Sequence, residues 1–137
     1  MENKDRLTII LHSGSYDRAA YALTIALTAL GSNMEVHILL TFEGLRRFTK
    51  GHLSDIGEET SAAVKADIER NLEWGIIPTF DSQLADAKKL GLKLYACPNA
   101  IASLNIPQSD LLDEIDDFMV LSAFLNLVRG AVANWYI

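Results

Sequence analysis

Along the chain, short apolar runs alternate with longer segments whose apolar residues recur every three or four positions. Residues 7–12, Leu-Thr-Ile-Ile-Leu-His, form the first run and break at Ser13-Gly14-Ser15. A run this short and this uniformly apolar predicts a strand buried on both faces. Residues 35–40 and 92–96 repeat the pattern, and residues 117–120 and 132–137 add two further strands. Between them lie helical segments. Residues 17–30 are rich in Ala and Leu and are followed by Gly31, a helix stop. Residues 61–74 predict a second helix, with Lys65 and Glu69 one turn apart. A third is expected from residue 82 to 90, capped by Asp81 or Ser82, with Lys88 and Lys89 in its last turn and Gly91 closing it. Residues 121–131 predict a fourth, and residues 50–60 read as the one long flexible loop.

Strands joined through helices favour a parallel sheet covered on both faces. The expected fold is therefore a single α/β domain spanning residues 1–137. Its architecture is a three-layer α/β/α sandwich with a mainly parallel sheet of about five strands, without internal repeat or linker.

Composition narrows the functional classes. The 137 residues are 50% hydrophobic, and 12 Lys and Arg against 18 Asp and Glu leave a net charge of −6. That balance disfavours electrostatic capture of nucleic acid. The longest apolar stretches, residues 19–30 and 118–128, fall short of the roughly 20 residues a membrane span needs. The polar amino-terminal residues do not read as a secretory signal, so a cytoplasmic protein is expected. A mean hydropathy of +0.15 without a span points to apolar surface closed against other subunits.

The chemistry is sparse. Cys97 is the only cysteine, which excludes an intrachain disulfide and a multi-cysteine metal site. His12, His37 and His52 show no ligand spacing, and no metal or cofactor is expected. In an open parallel sheet, ligands gather at the carboxyl ends of the strands. Three segments qualify: His12–Ser15 after the first strand, with His12, Ser13 and Gly14 as candidates; Thr41–Gly44 after the second, with Thr41, Phe42 and Gly44; and Cys97–Asn99 after the third, with Cys97, Pro98 and Asn99.

Pro98 suits the first position of a helix, which makes Cys97 its N-cap. A thiol there is stabilised as thiolate by the free N–H groups of the first turn. The competing reading is an inert, buried, apolar cysteine. His12 ends its strand where it can approach a Cys97 thiolate, whereas His37, inside a strand, reads as a packed and satisfied side chain. Ser13-Gly14-Ser15 is either an anion-binding turn or a tight turn with a serine cap. Phe42 stands where it can cover a site, and Gly44 allows close backbone approach. Arg46, Arg47 and Lys50 stand near the same mouth and read chiefly as a solvated helix face.

Four stretches together resemble the DsrE/DsrF-like superfamily of small sulfur-relay proteins, in its stand-alone branch. They are Leu11 to Arg18, Glu35 to Leu45 with its Thr-Phe-x-Gly-Leu ending, Leu94 to Cys97 followed by Asn105-Ile106, and Leu121 to Ile137. The resemblance covers most of the chain. It implies a cysteine, here Cys97, that carries sulfane sulfur as a persulfide, with Ser13-Gly14 and Thr41-Phe42-Gly44 lining its pocket. It also implies sulfur donor and acceptor proteins or small thiols as partners, and a homo-oligomer. Asn105 stands where members often have glycine, Ser103 and Leu104 where relay subunits carry basic residues, and Pro98 removes a backbone donor beside the thiol. A thiol oxidoreductase that resolves its intermediate with a second cysteine does not fit a one-cysteine chain. The alternatives are a non-catalytic module of the same fold binding a small anion or nucleotide, or an assembly subunit.

Overall fold

The computed structural model describes residues 4–57 and 59–137. Five strands form one all-parallel sheet: β1 (Arg6–Leu11), β2 (Glu35–Leu40), β3 (Lys93–Ala96), β4 (Asp117–Phe118) and β5 (Ala133–Tyr136), in the order β4-β3-β2-β1-β5. Six helices are described: α1 (Tyr16–Gly31), α2 (Phe42–Arg47), α3 (Ala62–Glu73), α4 (Phe80–Lys89), α5 (Pro98–Leu104) and α6 (Leu121–Val128). The expected α/β sandwich is the observed one. No helix of the described residues is long and apolar enough to cross a membrane.

Register follows from the apolar runs. Ile9 pairs with Ile38, and Ile38 with Leu94. Leu7, Ile9, Leu11, Val36, Ile38, Leu40, Leu94 and Ala96 share one face and are all buried. The β1-to-β2 and β4-to-β5 connections cross the sheet in opposite directions, so right-handed crossovers put α1 and α6 on opposite faces. Helix α1 buries Ala19, Ala22, Leu23, Ala26 and Ala29, a stripe at helical spacing, and packs beside α4. Its small side chains let the helix axis lie close to the sheet.

The opposite face is more polar. The Thr8 hydroxyl, fully buried, donates to Asn134 Oδ1 at 2.8 Å. His37 lies 2.7 Å from the Tyr95 hydroxyl through Nδ1 and 3.1 Å from Glu35 through Nε2, and its ring stacks on Tyr95. It is the satisfied core histidine that the sequence suggested. Phe124 of α6 covers Tyr95 edge-on.

Local endings differ in detail from the sequence reading. Thr79, not Asp81 or Ser82, caps α4, its hydroxyl accepting from the Ser82 N–H at 3.2 Å. Gly31 remains inside α1, and the left-handed residue that follows the helix is Asn33 with φ 63°.

Candidate functional site

The carboxyl ends of β1 and β2 interlock. Immediately after β2, Thr41 is extended and Phe42 takes φ 48°, a left-handed conformation that costs a non-glycine residue about 1–2 kcal/mol. This elbow starts α2 directly on the strand. The sequence predicted only a turn, because a two-turn helix held by its neighbours leaves little periodicity. The elbow drives Gly44 against β1: its N–H donates to the His12 carbonyl at 3.0 Å, and a Cβ there would stand 2.3 Å from the Leu11 carbonyl oxygen. The close approach expected of Gly44 is therefore made to the protein's own backbone. Gly14 is crowded in the same way, by Glu43. The Phe42 ring lies 5.2 Å from that of His12, whose other ring neighbour is Tyr136 at 5.8 Å.

Ser13 and Ser15 are buried beneath this corner. Ser15 Oγ lies 3.1 Å from Ser13 Oγ, and Ser13 donates to the Glu59 carboxylate at 2.8 Å. The Ser15 N–H returns to Ser13 Oγ, so the pair forms a short relay ending on a carboxylate. Ser15 is the N-cap of α1; its carbonyl accepts from the Ala19 N–H at 3.0 Å, but its side chain makes no capping bond.

Arg47 corrects the sequence reading. It is 3% exposed, not on a solvated face. Its Nε and Nη2 donate to the Gly14 carbonyl and its Nη1 to the Leu53 carbonyl, with the guanidinium over the Tyr16 and Phe80 rings. Burial pushes it down from its ordinary pKa, and Asp55 and Tyr16 oppose that shift. Gly14, Tyr16 and Phe80 are distant in sequence, so no local pattern marks the residue. Its effect is to pin residues 53–57 over the first turn of α1. The Tyr16 N–H donates to Ile56 O at 2.8 Å, and Gly57 packs on Gly14 and Ser15. The described residues of this loop cover Ser13 to Asp17. Glu58 lies outside the described residues.

A cavity of about 580 Å³ opens here, lined by Gly14, Ser15, Glu43, Arg46, Arg47, His52, Asp55, Gly57 and Glu59. Its polar side chains are largely partnered: Arg46 pairs with Glu43 at 3.3 Å, and His52 Nδ1 lies 2.8 Å from the Asp55 carboxylate. The sequence reading missed His52, Asp55 and Glu59, which come to the site only through the loop.

Cys97 occupies the next corner. Its N–H continues the ladder to the Leu40 carbonyl at 3.0 Å, which sets it beside Thr41. It is the N-cap of α5, followed by Pro98 in the first turn, and its side chain makes no capping bond. The Ala100 and Ile101 N–H groups both close on the Cys97 carbonyl, and Pro98 has none, so Asn99 holds the remaining first-turn N–H. Helix α5 ends in left-handed Asn105 (φ 52°, ψ 46°), and the Ile106 N–H returns to Ile101 O. That six-to-one bond is the Schellman ending. Asn serves here as glycine would.

Cys97 is buried, 8% exposed as a residue, and does not line the 580 Å³ cavity. His12 is two strands away, roughly 10 Å by sheet spacing, with its ring engaged elsewhere, so the approach to Cys97 is not made. Beside Cys97 runs β4, where Phe118 pairs with Ala96 and the Met119 N–H donates to Ala96 O. Phe118, Val120, Leu121 and Leu125 form an exposed apolar stretch there. Among the described residues no group of three or more His, Cys, Asp or Glu could hold a metal ion.

Fold and site together define a small α/β protein with an all-parallel five-stranded sheet and one thiol at its carboxyl edge. No family model matches the chain. It is similar to YrkE of Bacillus subtilis (strain 168), described as uncharacterized, at 27% identity over 154 aligned residues covering 96% of each chain. Among solved structures, ychN from E. coli superposes with TM-score 0.68 at 11% identity, over 97% of this chain and 99% of that one. MTH1491 from Methanobacterium thermoautotrophicum, a protein of unknown function, gives 0.64 at 12% identity over 96% and 99%. At such identities the two structures establish a shared fold.

Proposed function

We propose that the protein is a cytoplasmic sulfur carrier of the DsrE/DsrF-like kind, holding sulfane sulfur as a persulfide on Cys97 and working as a self-associated assembly. The carrying observation is the chain's one thiol, set at the carboxyl end of a central parallel strand beside an exposed apolar stretch. Loading is an S–S exchange. The Cys97 thiolate attacks the terminal sulfur of a donor persulfide, a Cys97 S–S bond forms, the donor S–S bond breaks, and the donor leaves as thiolate. Delivery repeats the step with an acceptor thiolate, and Cys97 is the leaving group. No net oxidation occurs, so one cysteine suffices.

The chain's groups divide the work. Asn99 supplies a first-turn N–H to the anionic terminal sulfur. Thr41 and Pro98 flank the thiol, while the Ser13-Gly14 and Phe42-Gly44 turns shape the neighbouring mouth. Near-complete burial protects a bound sulfur from stray thiols, and an acceptor docking on the Phe118–Leu125 side would gain access.

Intact-protein mass spectrometry after brief polysulfide exposure tests this. Wild type is expected to gain a reducible sulfur that Cys97→Ser does not; equal loading of both proteins would overturn the proposal. A second reading, a binding module for a small polar ligand, is favoured by one observation: the 580 Å³ cavity excludes Cys97. Thermal stabilisation by nucleotides or small anions, unchanged in Cys97→Ser, would favour it.

A further inference from the structure

The cavity at the first corner is walled almost wholly by charge and backbone. The carboxylates of Glu43, Asp55 and Glu59 share it with the guanidinium groups of Arg46 and Arg47. Among the described residues, none that lines it has a hydrocarbon side chain. Two of the walls are buried polar groups with bonding capacity left over. Arg47 is 3% exposed, and the nearby carboxylates are engaged elsewhere, Glu43 on Arg46, Asp55 on His52 and Glu59 on Ser13. The Gly14 and Leu53 carbonyls take three of its N–H groups, so two of the five that a guanidinium carries remain. Ser15, 2% exposed, is the second such wall. Ser13 gives its one proton to Glu59, so across the 3.1 Å contact it is Ser15 that donates. The Ser15 oxygen is left as a buried acceptor that no donor meets among the described residues.

We propose that this cavity binds a small zwitterion, a polar α-amino acid, with its carboxylate on Arg47 and its ammonium between Ser15 Oγ and Glu59. A buried polar group costs free energy until it is partnered, and one ligand with an anionic and a cationic end partners both walls. The two poles are adjacent, since Arg47 is bonded to the carbonyl of Gly14, the residue before Ser15. A ligand whose two charges hang on one carbon fits that spacing. One whose charges stand at opposite ends of a chain does not.

The same walls weigh against other ligands. Three carboxylates against two guanidinium groups leave the lining net negative with His52 neutral, which repels inorganic phosphate. A simple amine would leave the buried Arg47 charge unanswered. A nucleotide base needs apolar surface to lie against, and the lining supplies only the His52 ring. For the same reason the side chain of the amino acid is polar. The inference rests on the second reading above, a small-ligand module, and narrows it to one chemical class; it holds whether or not Cys97 carries sulfur.

Thermal shift and isothermal titration on the full chain test this, with L-serine and L-glutamine as probes against acetate, methylammonium, γ-aminobutyrate, inorganic phosphate and ATP. At about 10 mM the two amino acids are expected to raise the melting temperature by about 3 °C, and the other compounds by less than a third of that. Glu59→Gln keeps an acceptor for Ser13 and removes the charge, so L-serine affinity should fall about tenfold in a protein still folded by circular dichroism. Ser15→Ala should weaken binding in the same direction, and it decides the matter if Glu59→Gln does not fold. Binding of phosphate, ATP or acetate as strong as that of L-serine would overturn the ligand class and leave the small-ligand reading standing. No binding by any probe would overturn both. L-serine binding that survives both substitutions would overturn the assignment to this cavity, as would binding lost in Cys97→Ser, which would put the ligand at the thiol.

Discussion

Two neighbouring corners at the carboxyl edge of the sheet solve different problems. The corner at the ends of β1 and β2 is a lock. Gly44 is pressed on the Leu11 carbonyl, Gly14 on Glu43, and Arg47 is sunk beneath both with carbonyls for partners. The corner at the end of β3 is plain by comparison, with a thiol whose side chain makes no capping bond, a proline and two turns of helix. The difference teaches that the residues most tightly specified by packing need not be those to which the chemistry is assigned in the proposal. The first corner holds the second in place.

Substitutions can break that comparison. The largest effect is expected from Gly44→Ala. Its Cβ would collide with backbone that belongs to a central strand, so a loss of about 3 kcal/mol is predicted, read from denaturant unfolding. Arg47→Met comes next. It leaves the Gly14 and Leu53 carbonyls buried without donors, at about 2–3 kcal/mol. Because Cys97 is untouched, the folded variant should still load sulfur at the wild-type level in the mass-spectrometric assay. A folded Arg47→Met protein that no longer loads would show that the two corners share one chemistry.

The smallest effect lies on the β3 side. Burial alone would raise the Asp116 pKa, but Lys88 at 2.7 Å and the Leu94 N–H at 2.8 Å outweigh it and hold the carboxyl below its ordinary value of 3.8. A depressed folded-state pKa means stability that is present above pH 3.8 and lost as pH falls through the lower folded value. With a partly exposed pair, the discounted contribution is about 1 kcal/mol. Asp116→Asn should therefore lower stability slightly at pH 7 and flatten the acid limb below about pH 4 in a pH series of melting temperatures.

The sheet and its main helices were legible because burial on both faces writes itself as short, largely apolar runs, as in residues 36–40 with His37 the one polar member. The Cys97 corner was legible for a local reason: Pro98 and left-handed Asn105 bracket a short helix within nine residues. The lock was not. The Phe42 elbow exists because Gly44 fits against β1, a contact across about 30 residues. Arg47 reads as an ordinary surface arginine until Gly14, Tyr16 and Phe80 arrive around it. His12 was placed correctly at its strand end, but its neighbours, Phe42 and Tyr136, are set by the order of strands that the sequence does not state.

That strand order has a consequence for biosynthesis. Strands β1 to β4 are added side by side as they are made, yet β5 returns to the open flank of β1, with Thr8 bonded to Asn134 across 126 positions. At translation rates of 5–20 residues per second, β1 waits roughly 6–25 s on the ribosome for its second neighbour. A nascent chain stalled before residue 133 would carry β1 paired with β2 on one side and open on the other, the species for which a chaperone would compete.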